Sequence, residues 1–432
     1  MYPAGKCDII ATVCKSTCYV RENNLKKNAR KTEMKKIFSI LLALTMLLCT
    51  ACGGTDANEE SANIYTDITG IAHDEIVMTV GEIEIPANLF FYWVNTIARD
   101  AEMIYRQYSM YYPQYATLLN SDGSLKWDAT YSQTMTLGDV VRLQAMEKLA
   151  YFVVTESMAK TNGIELTEAD RTEINETIEK NLTAYKENLV KGDAANAELT
   201  DEEIEQKYFY NLGVDRTQVE RMMAVTYLSN ALVEQLMTEG SSLYVEDKAY
   251  DDFAFYADHI LIATVDLDSG KALPAEEIQE KTELAESILA RLQESDDMET
   301  LFASLADFHS EDTGRTAYPT GYIFTEGTMV AEFENAVKEL EVGELSGLVK
   351  STYGYHIILR RDLAEGLKAY PEEKKALAET YLATLINTII ANSNVSTGDA
   401  LTDIDLSQVY STYMERIGQR ETSQSGAEVS DK

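Results

Sequence analysis

The sequence predicts an α+β protein in which a helical region is interrupted by a smaller module of strands and helices. Apolar residues recur at helical spacing through most of residues 75–249, whereas two apolar runs of strand type enclose helical stretches within 250–362. An amphipathic helix is predicted over 363–395. Because its apolar face has to be buried, we expect this helix to return to the helical region, which makes the module an insertion.

Composition and charge indicate a folded, strongly acidic protein. The chain has 432 residues, of which 45% are hydrophobic and 25% are charged, as in soluble proteins of two or three domains. It contains 72 acidic and 37 basic residues, which gives a net charge of −35. Such a surface repels nucleic acid and anionic lipid headgroups, so we expect no nucleic-acid partner.

The placement of cysteine and histidine argues against several kinds of site. All five cysteines lie in the first 52 residues, and the whole chain contains four histidines. After Cys52 the chain therefore has no thiol for a disulfide, a Cys-ligated metal or a nucleophile. We expect neither a metal centre nor a cofactor.

Residues 34–51 have the pattern of a secretory signal peptide, with two lysines before a short apolar run and small residues at its end. The apolar run is shorter than the ~20 residues that span a bilayer. Ala51 followed by Cys52 resembles the lipobox of bacterial lipoproteins, although Cys49 stands where Leu is usual. The resemblance implies cleavage before Cys52 and lipidation of that cysteine.

Three further stretches near the chain ends are assigned from composition. Residues 1–33 precede the signal and are interpreted as a misassigned upstream extension, with translation starting at Met34. Residues 52–74 are polar and predict a flexible tether after the lipidated cysteine. Residues 396–432 are predicted to form a polar, partly disordered tail.

Within the helical region, two short strands are predicted over 76–85, followed by a helix that begins at Pro86. Further helices are predicted over about 136–162, 167–191, 200–211 and 216–239, with Thr167 and Thr200 among the residues that signal a helix N-terminus. Several tyrosines surround Pro113. They fit either packing in the core or an amphipathic surface for unfolded chains.

The module over 250–362 carries five short motifs in a fixed order. A strand is predicted over 255–265 with Ala257-Asp258-His259-Ile260-Leu261-Ile262, and Ser310-Glu311-Asp312 follows in a loop. Met329 and Phe333 lie four residues apart at the start of a helix, so we expect both on one helical face. Gly343-Glu344-Leu345-Ser346 and then Tyr353-Gly354-Tyr355-His356-Ile357-Ile358 close the module with a turn and a strand.

Together these motifs resemble the parvulin-type peptidyl-prolyl isomerases, and the lipobox and helical flanks extend the resemblance to PrsA-type extracytoplasmic foldases. The resemblance implies an antiparallel sheet surrounded by helices, with Met329 and Phe333 lining the pocket for the proline ring. It also implies that His259 and His356 form a hydrogen-bonded pair behind the site. For each pair, ordinary structural packing is the alternative interpretation.

Two polar positions and one departure complete the comparison with that family. Asp312 matches a position where a polar group faces the twisting amide, and Ser351 matches a hydroxyl position near the closing strand, where it would contribute to substrate binding. An exposed loop carboxylate is the alternative for Asp312. Thr320, in Ala317-Tyr318-Pro319-Thr320-Gly321-Tyr322, stands where the family often has a pocket leucine. We therefore expect a less complete apolar wall.

The reaction itself needs few special residues. A peptide bond resists rotation with a barrier of about 18–20 kcal/mol because resonance holds it planar. The twisted transition state has less charge separation than the planar amide, so a dry, apolar pocket favours it without a nucleophile or a metal.

The sequence leaves three functions open. The first is a lipid-anchored foldase that isomerises X–Pro bonds in unfolded or partly folded secreted proteins at the outer face of the membrane, in a cell of Gram-positive type. The second is a holdase chaperone whose parvulin unit is weak or inactive. The third is a solute-binding lipoprotein, which the lack of two repeated βαβ lobes disfavours. A homodimer is compatible with the long helical region.

Overall fold

A computed structural model describes residues 63–418 of the chain. They divide into two compact units, the first made of residues 63–232 and 384–418 and the second of residues 233–383. The signal peptide, Cys52 and the stretch 1–33 lie outside the described residues. Within the described part, no helix combines the length and the hydropathy that a membrane crossing needs.

The chain up to residue 237 is mainly helical. Its helices and strands are α1 (Ile64–Thr69), β1 (Ile76–Val80), β2 (Ile83–Pro86), α2 (Ala87–Ser109), α3 (Pro113–Ala116), α4 (Leu137–Thr161), α5 (Glu168–Gly192), α6 (Asp201–Leu212) and α7 (Arg216–Met237). The helices predicted over 136–162, 167–191, 200–211 and 216–239 are thus confirmed to within two residues.

The rest of the chain contains more strands. Its elements are β3 (Ala254–Ala263), α8 (Ala275–Gln293), α9 (Met298–His309), β4 (Tyr322–Thr325), α10 (Ala331–Glu339), β5 (Val349–Lys350), β6 (Gly354–Arg361), α11 (Leu363–Ala369), α12 (Pro371–Asn392), β7 (Val395–Thr397) and α13 (Leu406–Arg416). The boundaries between the two units fall within α7 and α12. The mixed helical and antiparallel architecture confirms the α+β class.

Capping explains where the helices of the first unit begin. Thr136 accepts a hydrogen bond from the backbone N–H of Asp139, whose carboxylate accepts one from the Thr136 backbone in return. Thr167 and Thr200 form the same reciprocal arrangement at the starts of α5 and α6. Each pair satisfies two backbone donors that the first helical turn leaves without partners.

The first unit also corrects two predictions at its ends. Residues 64–69, assigned to a flexible tether, instead form α1 with a buried Tyr65, and residues 406–416, assigned to a polar, partly disordered tail, form α13 with a buried Tyr413. The two tyrosine rings stack with centroids 5.5 Å apart. Sparse apolar residues in a polar stretch predict a linker, but a few aromatic side chains suffice to bury a short helix.

Gly213, which ends α6 in the left-handed conformation, packs against α1. A Cβ at this glycine would lie 2.1 Å from the Tyr65 ring. A three-stranded antiparallel sheet in the order β2-β1-β7 completes the unit, with Met78 opposite Thr397. The first and last described segments of the chain therefore pack together in the first unit.

The second unit is built around a four-stranded antiparallel sheet in the order β4-β3-β6-β5. Because successive side chains of a strand point to opposite faces, alternate residues of β3 and β6 enter two different clusters. One face carries aliphatic residues that pack against α8 and α9, and the other packs against α10.

Candidate active site

The two histidines predicted for the site lie on adjacent central strands. His259 of β3 is paired with Ile358, and His356 of β6 is paired with Leu261, so the histidines are diagonal neighbours on one sheet face. Their ring centroids are 5.2 Å apart and the rings are tilted by 64°. Both side chains are buried.

The expected hydrogen bond between the two imidazoles is not formed. The Nε2 atom of His356 is 2.7 Å from Ser351 Oγ, and the Nε2 atom of His259 is 3.6 Å from Asp312 Oδ2. Neither Nδ1 atom has a hydrogen-bond partner among residues 63–418. The edge-to-face contact of the rings replaces the predicted bond because each ring directs Nε2 to a different loop.

Phe333 brings α10 onto this pair of rings. Its ring centroid lies 5.2 Å from that of His259 and 5.7 Å from that of His356, both in edge-to-face geometry. The ring centroid of Phe324 of β4 lies 5.7 Å from that of Phe333. Phe333 is thus buried in contact with both imidazoles and with an aromatic strand residue.

Met329 joins the same cluster. The sequence predicted that Met329 and Phe333 share a helical face, and this prediction is wrong. Met329 precedes the helix, which begins at Ala331, and is half-buried against the cluster around Phe333. The buried carboxylate of Glu334 accepts hydrogen bonds from the backbone N–H groups of Met329 (2.7 Å) and Gly327 (2.9 Å). Glu334 was not predicted, although an acid in the first helical turn is a common signal of capping.

Asp312 lies at the rim of the group, at the start of a 3₁₀ turn over Thr313–Thr316. Its Oδ1 accepts the backbone N–H of Gly314 at 3.1 Å, and its Oδ2 accepts the Tyr322 hydroxyl at 2.6 Å. The predicted carboxylate is therefore a bonded part of the site, with Oδ2 near both Tyr322 and His259.

Tyr322 is a site residue that the motifs did not reveal. Its ring is stacked on His259 with centroids 5.8 Å apart and an interplanar angle of 20°. A Cβ at Gly314 would lie 2.1 Å from the Tyr322 hydroxyl oxygen, so glycine leaves the space for that hydroxyl to reach Asp312. In the sequence, Tyr322 ends the altered loop that begins at Ala317 and carries no separate signal.

Thr320, expected to replace an apolar wall residue, is an exposed anchor of that loop. Its Oγ1 lies 2.9 Å from the Tyr256 hydroxyl and 2.8 Å from the Tyr370 hydroxyl. A threonine can hold this position because hydroxyl partners surround it. The apolar contacts to the imidazoles come from Phe333 and Tyr322.

Burial makes the imidazoles weak bases. It lowers the pKa of His259 to about 4, with the Asp312 carboxylate opposing the shift, and it lowers the pKa of His356 to about 4, with His259 adding to the shift. Both rings are neutral at pH 7, so the contact of His259 with Asp312 is not an ion pair there. Burial and the bond to Asp312 raise the pKa of Tyr322, which keeps its phenol protonated.

Residues 63–418 contain no group of three or more His, Cys, Asp or Glu side chains that is arranged to hold a metal ion. The side chains that converge on the sheet face are two neutral imidazoles, aromatic rings, a thioether and one carboxylate. This set suits recognition of an apolar ring beside a polar backbone group.

Comparison with known proteins finds a family match within the second unit. Residues 259–362 match the family model described as the PPIC-type PPIASE domain (rotamase). Foldase protein PrsA of Caldanaerobacter subterraneus subsp. tengcongensis is 31% identical over 218 residues, which cover 48% of this chain and 63% of that protein. Foldase protein PrsA of Halalkalibacterium halodurans is 30% identical over 217 residues, which cover 50% of this chain and 58% of that protein.

Among solved structures, the parvuline of Nitrosopumilus maritimus is 32% identical and aligns over 26% of this chain and 97% of its own, with a TM-score of 0.18. The chain spans 63% and 58% of the lengths of the two curated relatives that it matches. Residues 259–362 therefore match the PPIC-type peptidyl-prolyl isomerase domain, and the chain is similar to the PrsA foldases over about half of its length.

Proposed function

We propose that this protein catalyses cis/trans isomerisation of X–Pro peptide bonds and thereby assists the folding of secreted proteins. The observation that carries the proposal is the convergence of His259, His356 and Phe333, whose ring centroids lie within 5.2–5.7 Å of one another. Asp312 borders the same group, 3.6 Å from His259. The family match of residues 259–362 supports the same reaction.

The roles follow from the chemistry of the twisted amide. Phe333 and Met329 would receive the proline ring, because both belong to the apolar cluster on the α10 face of the sheet. The neutral imidazoles and Ser351 would form the floor of the pocket, and Asp312 would face the rotating bond. An apolar surrounding favours the less polar twisted state over the planar amide, so rotation needs no covalent step.

The activity is testable with a tetrapeptide that contains a single X–Pro bond. We expect the full chain to accelerate its isomerisation and the Met329→Ala variant to lose most of that acceleration while keeping its thermal unfolding midpoint. Val342→Ala is the control, because this side chain is 62% exposed and does not belong to the cluster. A folded wild-type protein that leaves the uncatalysed rate unchanged would refute the enzymatic proposal.

The proposed location of the protein in the cell is inferred from the sequence of residues 34–52. We propose that cleavage after Ala51 and lipidation of Cys52 anchor the protein at the outer face of the cell membrane, where secreted chains emerge unfolded. A tethered catalyst meets such chains at a high local concentration. We expect Cys52→Ser to release the protein from membranes, whereas Cys49→Ser leaves it bound. Equal release of both variants would contradict the anchor.

A second function, holding unfolded chains, is favoured by a surface of the first unit. Of the eleven large hydrophobic residues that are exposed within residues 63–418, five lie in a short stretch, which we call the tyrosine patch: Met103, Tyr108, Met110, Tyr111 and Tyr112. Residues 107–121 contain no charged side chain, although 25% of the whole chain is charged. Tyrosine and methionine adapt to varied apolar segments while tolerating water.

Aggregation of an unfolded client without proline separates holding from isomerisation. We expect the full chain to suppress aggregation and the double variant Met110→Ser/Tyr111→Ser to lose this effect with unchanged tetrapeptide isomerisation. Both side chains are 74% exposed, so the substitutions should not affect folding. Val342→Ser, at an exposed position of the second unit, is the matched control. Suppression by the double variant at the wild-type level would exclude the tyrosine patch.

A further inference from the structure

Arg315 lies three residues after Asp312 and is buried to an unusual degree for an arginine. Its side chain is only 13% exposed, and its Nη1 is 2.7 Å from Oδ1 of Asp258. Asp258 is itself buried, on β3 immediately before His259. The guanidinium also contacts Asp307 of α9 at 2.9 Å, but that carboxylate is 73% exposed.

The Asp258 carboxylate connects the loop to the strand of the site. Its Oδ1 accepts the backbone N–H of His259 at 2.8 Å as well as the Arg315 bond. Burial raises the pKa of Asp258, and the charge of Arg315 opposes that rise. A buried carboxylate without its partner is costly, so the pair fixes where the loop sits on β3.

The loop is held to β3 on both sides of Asp312. Before it, the hydroxyl of Ser310 accepts the backbone N–H of Leu261 at 3.1 Å, and the N–H of Glu311 donates to the Leu261 carbonyl at 2.8 Å. After it, the 3₁₀ turn is closed by a bond from the Arg315 N–H to the Asp312 carbonyl at 3.3 Å. The Arg315 side chain then returns to Asp258. Asp312 therefore lies between two attachments to the strand that carries His259.

We propose that Arg315 is a positioning residue, which acts through its ion pair with Asp258 to hold the Asp312 carboxylate against Tyr322 and His259. The inference rests on the proposed isomerase function and adds a residue pair to it. The Asp307 contact contributes little, because an exposed ion pair is screened by water. The placement of Asp312 matters because its Oδ2 lies 2.6 Å from the Tyr322 hydroxyl and 3.6 Å from Nε2 of His259, and a displaced loop would lose both contacts.

A double-mutant cycle in the full chain tests this proposal. We expect Arg315→Met to lower kcat/KM for the tetrapeptide about tenfold, and Asp312→Asn to lower it by a similar factor. If Arg315 acts only through Asp312, adding Arg315→Met to Asp312→Asn lowers kcat/KM no further. Asp307→Asn is the matched control and stays within about twofold of wild type. Independent, multiplying losses in the double variant would overturn the proposal.

Two additions keep the test decisive. If Arg315→Met alone does not fold, the Asp258→Asn/Arg315→Met pair removes both buried charges, and we expect it to fold with the same loss of kcat/KM. Wild-type activity in that variant would overturn the proposal. The ring resonance of His259, one of four histidines, is expected to shift in Arg315→Met, to stay in place in Asp307→Asn, and to move no further when Arg315→Met is added to Asp312→Asn. If the wild-type chain shows no isomerase activity, the proposed function fails, and this resonance still decides whether Arg315 positions Asp312.

Discussion

The two faces of the β4-β3-β6-β5 sheet are made from alternate residues of the same strands, yet they differ in chemistry. On one face, Ile260, Ile262, Ile357 and Leu359 pack against α8 and α9 in a wholly apolar cluster. On the other face, the intervening positions include His259 and His356, which lie beside Phe333 of α10. Because side chains alternate along a strand, the same strand can place apolar side chains on one face of the sheet and polar side chains on the other.

The comparison also explains why buried histidines are tolerated. The apolar face buries large side chains such as Phe302, which is completely inaccessible. The stabilisation from such burial offsets the cost of leaving Nδ1 of each imidazole without a partner in the described part of the chain. We therefore expect substitutions on the apolar face to change stability and substitutions on the histidine face to change activity.

The largest expected effect is on the apolar face. Phe302→Ala should lower the free energy of unfolding by about 3–5 kcal/mol, because it leaves a cavity between α9 and the sheet. Urea denaturation of the full chain measures the change. Phe308→Ala on the same helix is the control, since that ring is 82% exposed and should change stability by no more than about 0.5 kcal/mol. Equal effects would break the comparison.

The next effect is a pH dependence that belongs to the histidine face. The folded protein holds the pKa of both imidazoles at about 4, against about 6.5 in the unfolded chain. Between these values the unfolded chain binds more protons. The free energy of unfolding should therefore fall as the pH drops below 6.5, with a slope approaching ~1.4 kcal/mol per pH unit for each imidazole.

Urea denaturation at pH 7, 6 and 5 measures that slope. His356→Gln should remove about half of it, because one of the two buried imidazoles is gone. His309→Gln is the control, since that residue ends α9 and its ring contacts Phe308. A slope that persists in full in His356→Gln would show that other groups cause the pH dependence.

A third prediction concerns the ring that both imidazoles contact. Phe333→Leu keeps an apolar side chain but loses both edge-to-face contacts. We expect kcat/KM to fall about tenfold, which corresponds to ~1.4 kcal/mol of transition-state stabilisation, while unfolding changes by less than about 1.5 kcal/mol. Ile288→Val, on the apolar face, should leave kcat/KM unchanged. The faces would not be separable if both variants lost activity alike.

The smallest expected effect comes from the hydroxyl next to His356. Ser351→Ala removes the 2.7 Å hydrogen bond to Nε2 and should lower the free energy of unfolding by about 1 kcal/mol. Ser304→Ala is the control, because its exposed hydroxyl bonds only the carbonyl one turn before it. Because Ser351 would belong to the floor of the pocket, kcat/KM should fall by about twofold, and an unchanged kcat/KM would limit the hydroxyl to holding His356.

Much of the candidate site could be predicted from short motifs. His259, Asp312, Met329, Phe333, Ser351 and His356 are brought together on one part of the second unit, as the sequence predicted. Tyr322, Glu334 and the Asp258–Arg315 pair were missed. Each depends on a contact between residues that no local spacing connects, such as the 57 positions between Asp258 and Arg315.

The fold shows the same division between local and distant information. Capping residues and apolar periodicity identified α4 to α7, because these signals act within one or two helical turns. The short helices α1 and α13 were not predicted, since they are stabilised by the contact between Tyr65 and Tyr413, which are far apart in the sequence.

By itself, the sequence determined the helices, the central strands β3 and β6, the acidic character and the six candidate residues. Only the tertiary structure decided which partner each side chain has. It directed the two imidazoles to Ser351 and Asp312 rather than to each other, and it placed Tyr322 on His259. The physical reason is that periodicity and capping are short-range effects, whereas a buried polar atom is satisfied by whichever distant group packing brings within bonding distance.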